Sequence, residues 1–299
     1  VSRKTELASD LNRIGYDLAG AHLTREARTA TFSTFARTLR EQGYGIQRAD
    51  QIGGRHLAAY VEARQQAGIS PRTLANELSH LRAVLNHEGK QGLARNPAYS
   101  NQSLGLERGS RIGTKTPLSN EQIKHFQEKM EMLNRPGIGI TLELQRALGL
   151  RETEAIRGGR ADILARWERE LKRDGTIRIV EGTKGGRERT VQPADQARAL
   201  RAVEQARSIL QEQKTGCLIV RSDGKAADGL KQARGIYRNV CHREHVQSHA
   251  ARYAFAQERL RTYRNEGYSE REARAATSLA LGHGDGRGRY VASVYTRGD

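Results

Sequence analysis

The chain has 299 residues, a length that accommodates two domains of ordinary size, each with a core of its own. Apolar residues make up 36% and charged residues 28%, and no run approaches the roughly eighteen apolar residues of a membrane span or forms an N-terminal signal core, so neither membrane insertion nor secretion is expected. Lys and Arg number 51 against 34 Asp and Glu, a net charge of +17 that disfavours a small-molecule enzyme and points to a polyanionic partner.

The excess is spread along the chain. Residues 1–110 carry 15 basic and 10 acidic side chains and the remainder 36 and 24, so the charge belongs to folded surfaces rather than to a tail. Two cysteines, Cys217 and Cys241, cannot staple a chain of this length and fit a reducing cytoplasm.

Taken in chain order, the first hundred residues read as helices separated by polar breaks. A helix from about Thr24 to Gln42 carries Phe32, Phe35 and Leu39 on one face, and Leu57, Tyr60 and Val61 mark another. Ser70 and Pro71 form a cap and first helical residue ahead of Leu74, Leu78, Leu81 and Leu85, one stripe that ends at Gly89. From Asn96 to Pro117 the chain loses its period and mixes Gly, Ser and Asn with Arg and Lys, as an interdomain linker does. The expected division is a helical domain over 1–105, a linker over 106–116 and a second domain over 117–299.

Ser119 and Gln122 make a capping box that opens a helix to about Met132, and a further helical region runs from Pro136 to about Arg157 with a break at Gly149. The segments 176–181 and 187–191 alternate as strands and are joined through Lys184 and its flanking glycines into a hairpin. Beyond Pro193 the pattern is helical except near Ser222 to Gly224 and Gly284 to Gly288. The fold class is therefore mainly α with a small β-sheet.

Four fragments hold phosphate-binding or proton-transferring residues: LGLRETEA around Arg151, the TKGG turn with Lys184, SHAARYAFA with His249 and Arg252, and the stretch from Leu281 with His283, Tyr290 and Tyr295. His-x-x-Arg alone carries little, since 9 His in so Arg-rich a chain produce about one match by chance, and His22 to Arg25 is another. Cys241, His242, His245 and His249 superficially suggest zinc, but the Glu of an H-E-x-x-H arrangement is missing. The ordered series carries the information: Arg at a helix start with Glu three residues on, Lys on a hairpin tip, His-x-x-Arg within a helix, Leu-Gly-His, then a tyrosine near the end.

That series resembles the tyrosine recombinase (phage integrase) family, and the helical segment from Ser70 to Pro97 resembles the end of the family's core-binding domain. The resemblance implies a helical core-binding domain plus an α+β catalytic domain. It also implies a site-specific recombinase that cleaves and rejoins DNA through a 3′-phosphotyrosine intermediate, with neither ATP nor metal and no cofactor. Arg151 and Arg252 would clamp the scissile phosphate through forked N–H donors. His249 and His283 would bond the same phosphate, with His249 also handling the nucleophile's proton. Lys184 would protonate the departing 5′ oxygen, and Glu154 would orient Arg151. Tyr295, twelve residues after His283 in the context Val294-Tyr295-Thr296-Arg297, fits the nucleophile better than Tyr290, seven residues after it. Departures from the family pattern are Tyr253 after the second arginine and Ala250-Ala251 in place of Asp-Leu.

The expected partner is double-stranded DNA, bound by a protein that is monomeric when free and tetrameric on paired sites, with room for accessory DNA-bending proteins. The expected location is a bacterial or phage-derived, nucleoid-associated one in the cytoplasm. The alternatives are a type IB topoisomerase, which the core-binding domain argues against, and a catalytically silent DNA-binding protein of the same fold. Because the chain begins at Val1 and only four residues follow Tyr295, a truncated tail is also expected, leaving cleavage intact and tetramer formation poor.

Overall fold

The computed structural model describes residues 6–106, 116–183, 186–284 and 286–295, and the chain divides into two compact units, Val1–Ser110 and Arg111–Asp299. The first unit is helical: α1 (Glu6–Asp17), α2 (His22–Glu41), α3 (Gly54–Gln66), α4 (Pro71–His87) and the single turn α5 (Gln91–Ala94). Its core collects the expected stripes of α2, α3 and α4, and adds Leu7, Leu11 and Ile14 from α1. Ser70 caps α4 by accepting a hydrogen bond from the Thr73 amide at 3.2 Å, and Gly89 follows the helix with φ +73°.

One charged group is drawn into this core. The Glu77 carboxylate accepts from the Tyr60 hydroxyl and from the Arg64 Nε, each at 2.9 Å, so the buried carboxylate is both paired and hydrogen-bonded. The aperiodic stretch after Asn96 begins inside this unit rather than between units. Tyr99, Leu104 and Leu106 pack on the same core, and Arg82 donates to the Asn101 Oδ1 at 3.0 Å. Of the expected linker, residues 107–115 lie outside the described residues.

The second unit is built around α7 (Pro136–Leu148), a helix apolar enough to be buried on nearly every side. It is packed by α6 (Asn120–Met132), α10 (Gln196–Gln213) and α12 (Ser248–Asn265). The expected capping box opens α6: the Gln122 amide donates to Ser119 Oγ at 3.2 Å and the Ser119 amide to Gln122 Oε1 at 2.8 Å. The break at Gly149 is real, with φ +61°; a side chain there would also meet the Phe255 ring at 2.4 Å. Past it come α8 (Glu152–Gly158) and α9 (Ala161–Asp174), whose Ile163, Leu164, Trp167 and Leu171 form an apolar face.

The sheet is a two-stranded antiparallel pair, β1 (Ile177–Ile179) and β2 (Arg189–Val191), in the register Ile177↔Val191, Arg178↔Thr190 and Ile179↔Arg189. It is shorter than the alternating segments predict. The rest is α11 (Gly229–Arg243), α13 (Glu270–Ala280) and α14 (Gly288–Val294). Cys241 is buried in a core with Tyr237 and Val240, and burial pushes its thiol up to about 12, so it behaves as a small hydrophobe rather than a ligand. Among the described residues no helix is long and apolar enough to cross a membrane.

Candidate active site

The C-terminus of α13 organises the site. The Gly282 amide donates to the Leu279 carbonyl at 2.8 Å and the His283 amide to the Ser278 carbonyl at 3.0 Å, the two bonds of a Schellman motif, with Gly282 at φ +64°. Leu-Gly-His is therefore a helix ending whose glycine is required by its backbone, and it aims His283 away from the helix. The next carbonyls point outward and are met by three guanidiniums from distant parts of the chain. Arg189 Nε donates to the Ala280 oxygen at 3.1 Å. Arg151 Nη2 donates to Leu281 at 3.1 Å and to Gly282 at 3.0 Å, and Arg252 Nη2 also donates to Leu281. Cations at the negative end of a helix dipole are favourably placed, and here they also satisfy its unpaired acceptors.

Glu154 gathers two of these arginines. Its carboxylate accepts the Arg151 backbone amide at 2.6 Å, closing the first turn of α8, and the Arg151 Nη1 at 2.7 Å. Arg189 binds the same carboxylate through both Nη atoms, at 2.6 and 2.7 Å. Burial alone raises the Glu154 carboxyl, but the Arg189 hydrogen bonds and the charges of Arg189 and Arg151 outweigh it and hold the group down at about 2.

Arg252 is fully buried. Its Nη1 donates to the Gly149 carbonyl, and among the described residues no carboxylate is bonded to it and its Nε has no hydrogen-bond partner. Burial, opposed by the nearby Tyr295 hydroxyl and reinforced by Arg151 and Arg189, pushes this guanidinium down to about 10. Its neighbour Arg151 is one-quarter exposed and lines a cleft with Arg187, His283 and Arg287.

The Tyr295 hydroxyl and His283 Nε2 share a hydrogen bond at 3.1 Å. The Tyr295 ring is 2% exposed and lies against Tyr253, centroid to centroid at 4.6 Å. Tyr290 is 36% exposed and stands edge-on to the His283 ring at 4.9 Å. The imidazole bonded to the phenol is thus that of His283, whereas the sequence reading gives the nucleophile's proton to His249. His249 sits in the exposed first turn of α12, with its ring edge-on to Tyr253 at 5.6 Å. Lys184 lies outside the described residues. The structure therefore brings Arg151, Glu154, Arg252, His283 and Tyr295 together and adds Arg189, which the motif series does not contain. The missed signal is strand parity: Arg189 shares a face with Val191, which is buried in the core.

His283 is depressed to about 3, first by burial and then by the charges of Arg252, Arg151, Arg189 and Arg287. The folded protein therefore holds a neutral imidazole, while the unfolded chain takes up a proton near the ordinary value of 6.5. The stability this contributes is complete above pH 6.5 and is lost as pH falls towards 3; that of Glu154 is lost only between 4.5 and 2. We expect the melting temperature to fall on acidification already between pH 6.5 and 4.5, and His283→Gln to flatten that part of the curve. An unchanged slope in the variant contradicts the assignment.

A mostly helical protein of two units, with buried guanidiniums and a phenol bonded to an imidazole, has the architecture of an enzyme that handles phosphodiesters. Residues 105–258 match the family model described as integrase, and residues 4–94 match that described as phage integrase, N-terminal. The chain belongs to the phage integrase family of tyrosine recombinases, which are site-specific DNA recombinases. No curated protein matches it by sequence.

Three solved structures illustrate the likeness of fold. A Tn1549 transposon integrase in complex with circular intermediate DNA has 13% identity and a TM-score of 0.59, over 97% of this chain and 95% of that one. A lambda integrase tetramer bound to a Holliday junction has 14% identity and a TM-score of 0.58, over 98% and 78%. The XerH site-specific recombinase bound to its difH substrate has 14% identity and a TM-score of 0.57, over 98% and 95%.

Proposed function

We propose that Tyr295 attacks a backbone phosphate of double-stranded DNA and that the chain breaks and rejoins strands through the resulting 3′-phosphotyrosine bond. The observation that carries this reading is the Tyr295–His283 hydrogen bond of 3.1 Å, set beside guanidiniums that, among the described residues, outnumber the one carboxylate bonded to them. The phenol transfers its proton to the neutral His283 imidazole as its oxygen bonds to phosphorus. The bond from phosphorus to the 5′ oxygen breaks, and Lys184 protonates that oxygen to a hydroxyl. Arg151 and Arg252 neutralise the charge that develops on the non-bridging oxygens. One phosphodiester has replaced another, so the backbone's bond energy is kept in the protein–DNA link, and a 5′ hydroxyl from another strand reverses the steps.

In this reading residues 1–105 and 117–299 grip one duplex from two sides, joined by 106–116. Phosphate contacts by Lys and Arg supply affinity and a few side chains read sequence. His249 contacts the same phosphate from the start of α12. The chains assemble as a tetramer on paired sites, as the Holliday-junction complex of lambda integrase does.

The test is a pool of nicked duplexes with randomised sequence, in which the short strand beyond the scissile phosphate diffuses away and traps the adduct. A covalent protein–DNA product is expected, and the trapped duplexes then exchange strands when a partner with a free 5′ hydroxyl is added. DNA binding with no adduct from any member of the pool defeats the reading. Relaxation of supercoils without strand exchange reassigns the chain to topoisomerase chemistry.

A further inference from the structure

Arg189 has no part in the chemistry just described, yet it is the side chain most completely committed to the site. It is 7% exposed, and all three of its nitrogens are used: both Nη atoms on Glu154 and Nε on the Ala280 carbonyl. These partners belong to different elements, the start of α8 and the end of α13, and Arg189 itself stands on β2 opposite Ile179. Its stem also fills the space over Gly282, where a side chain would come within 2.7 Å of the Arg189 Cδ. The residue on one side of that glycine lends its carbonyl to Arg151 and Arg252, and the residue on the other is His283.

We propose that Arg189 is a positioning residue of strand cleavage: its fork locks Glu154 to the end of α13 and so fixes Arg151 and His283 relative to each other. The inference rests on the reading of the site given above. Arg151 takes its orientation from Glu154 at 2.7 Å and from the Leu281 and Gly282 carbonyls, so it is held by the two bodies that Arg189 bridges. Without the bridge, the side-chain hydrogen bonds that remain among the described residues between the Gly149–Glu154 stretch and the α13 ending are those of Arg151 and Arg252, which the reaction needs for phosphate. A lysine keeps the charge but presents a single nitrogen, which cannot span both carboxylate oxygens and a carbonyl on another helix.

Geometry and charge therefore separate in two variants of the full chain. Arg189→Lys keeps the positive field around His283 and loses the bridge; Arg189→Gln loses both. With a duplex selected from the nicked pool, at saturating protein, we expect Arg189→Lys to form adduct roughly 10²-fold more slowly, the penalty of a small misplacement of reacting groups. Its affinity for the same duplex should stay within about threefold, since all three Arg189 nitrogens are held by Glu154 and the Ala280 carbonyl rather than offered to phosphate. The acidic limb of the rate profile should stay in place for Arg189→Lys and move to higher pH for Arg189→Gln, because removing one of the cations facing His283 eases its protonation. Wild-type cleavage by Arg189→Lys overturns the inference. So does a parallel loss of rate, affinity and melting temperature in both variants with no movement of the limb, which marks a purely structural ion pair. Failure of the underlying reading looks different: the wild-type chain then forms no adduct, or keeps it in Tyr295→Phe.

Discussion

Tyr295→Phe should abolish the covalent adduct with nicked duplex, and Tyr290→Phe should retain it. The two tyrosines compete on sequence spacing alone, and their surroundings separate them. Tyr295 is enclosed at 2% exposure with its hydroxyl on His283, whereas Tyr290 is 36% exposed and offers His283 the edge of its ring. Phenylalanine keeps the ring packed against Tyr253 and gives up one hydrogen bond, a change of about 1 kcal/mol in stability. Affinity for duplex should change by less than about tenfold, or 1.4 kcal/mol. Adduct that persists in Tyr295→Phe and vanishes in Tyr290→Phe reverses the assignment.

Arg252→Lys should lower the rate of adduct formation by about 10² to 10³, the usual effect of removing one preorganised donor from a developing oxyanion. Arg252 is fully buried, donates to carbonyls on both sides of the site at Gly149 and Leu281, and has no carboxylate bonded to it among the described residues. A buried cation without a counter-anion is costly to hold, and a phosphate arriving at the adjacent cleft supplies that anion. Lysine reaches only one of the two carbonyls, so a loss of about 1–3 kcal/mol in stability accompanies the kinetic defect. Single-turnover cleavage at saturating protein and thermal melting measure the two effects separately. Cleavage within a few-fold of the wild-type rate in a stably folded Arg252→Lys shows that the forked donors of Arg252 are not needed in the reaction.

What was legible in the sequence was local. The cap at Ser70, the capping box at Ser119 and the break at Gly149 follow from residue chemistry over three or four positions, and the structure has them all. The stripes of α1 and α9 were equally present at helical spacing, but short segments without a clear cap are easily passed over. Relations across the chain were not legible. Nothing near Arg189 announces that its partner is Glu154, 35 residues earlier, or that Arg151 reaches carbonyls 130 and 131 residues later. Family resemblance supplied the residues of the site, but the proton partner of Tyr295 depends on where the α13 ending turns, which motif order does not specify.

The enclosure of Tyr295 has a further consequence for the lifetime of the joined state. Three rings, those of Tyr253, His283 and Tyr290, surround the phenol, so an ester formed on its oxygen begins in a place that bulk solvent reaches poorly. Water and a deoxyribose hydroxyl are rival acceptors for the same phosphoryl group, and only the second restores an intact strand. Keeping the first away converts a slow, irreversible leak into a negligible one. On the proposed reading the protein then stays attached to a severed strand until a matching end arrives, and the break stays repairable throughout the wait.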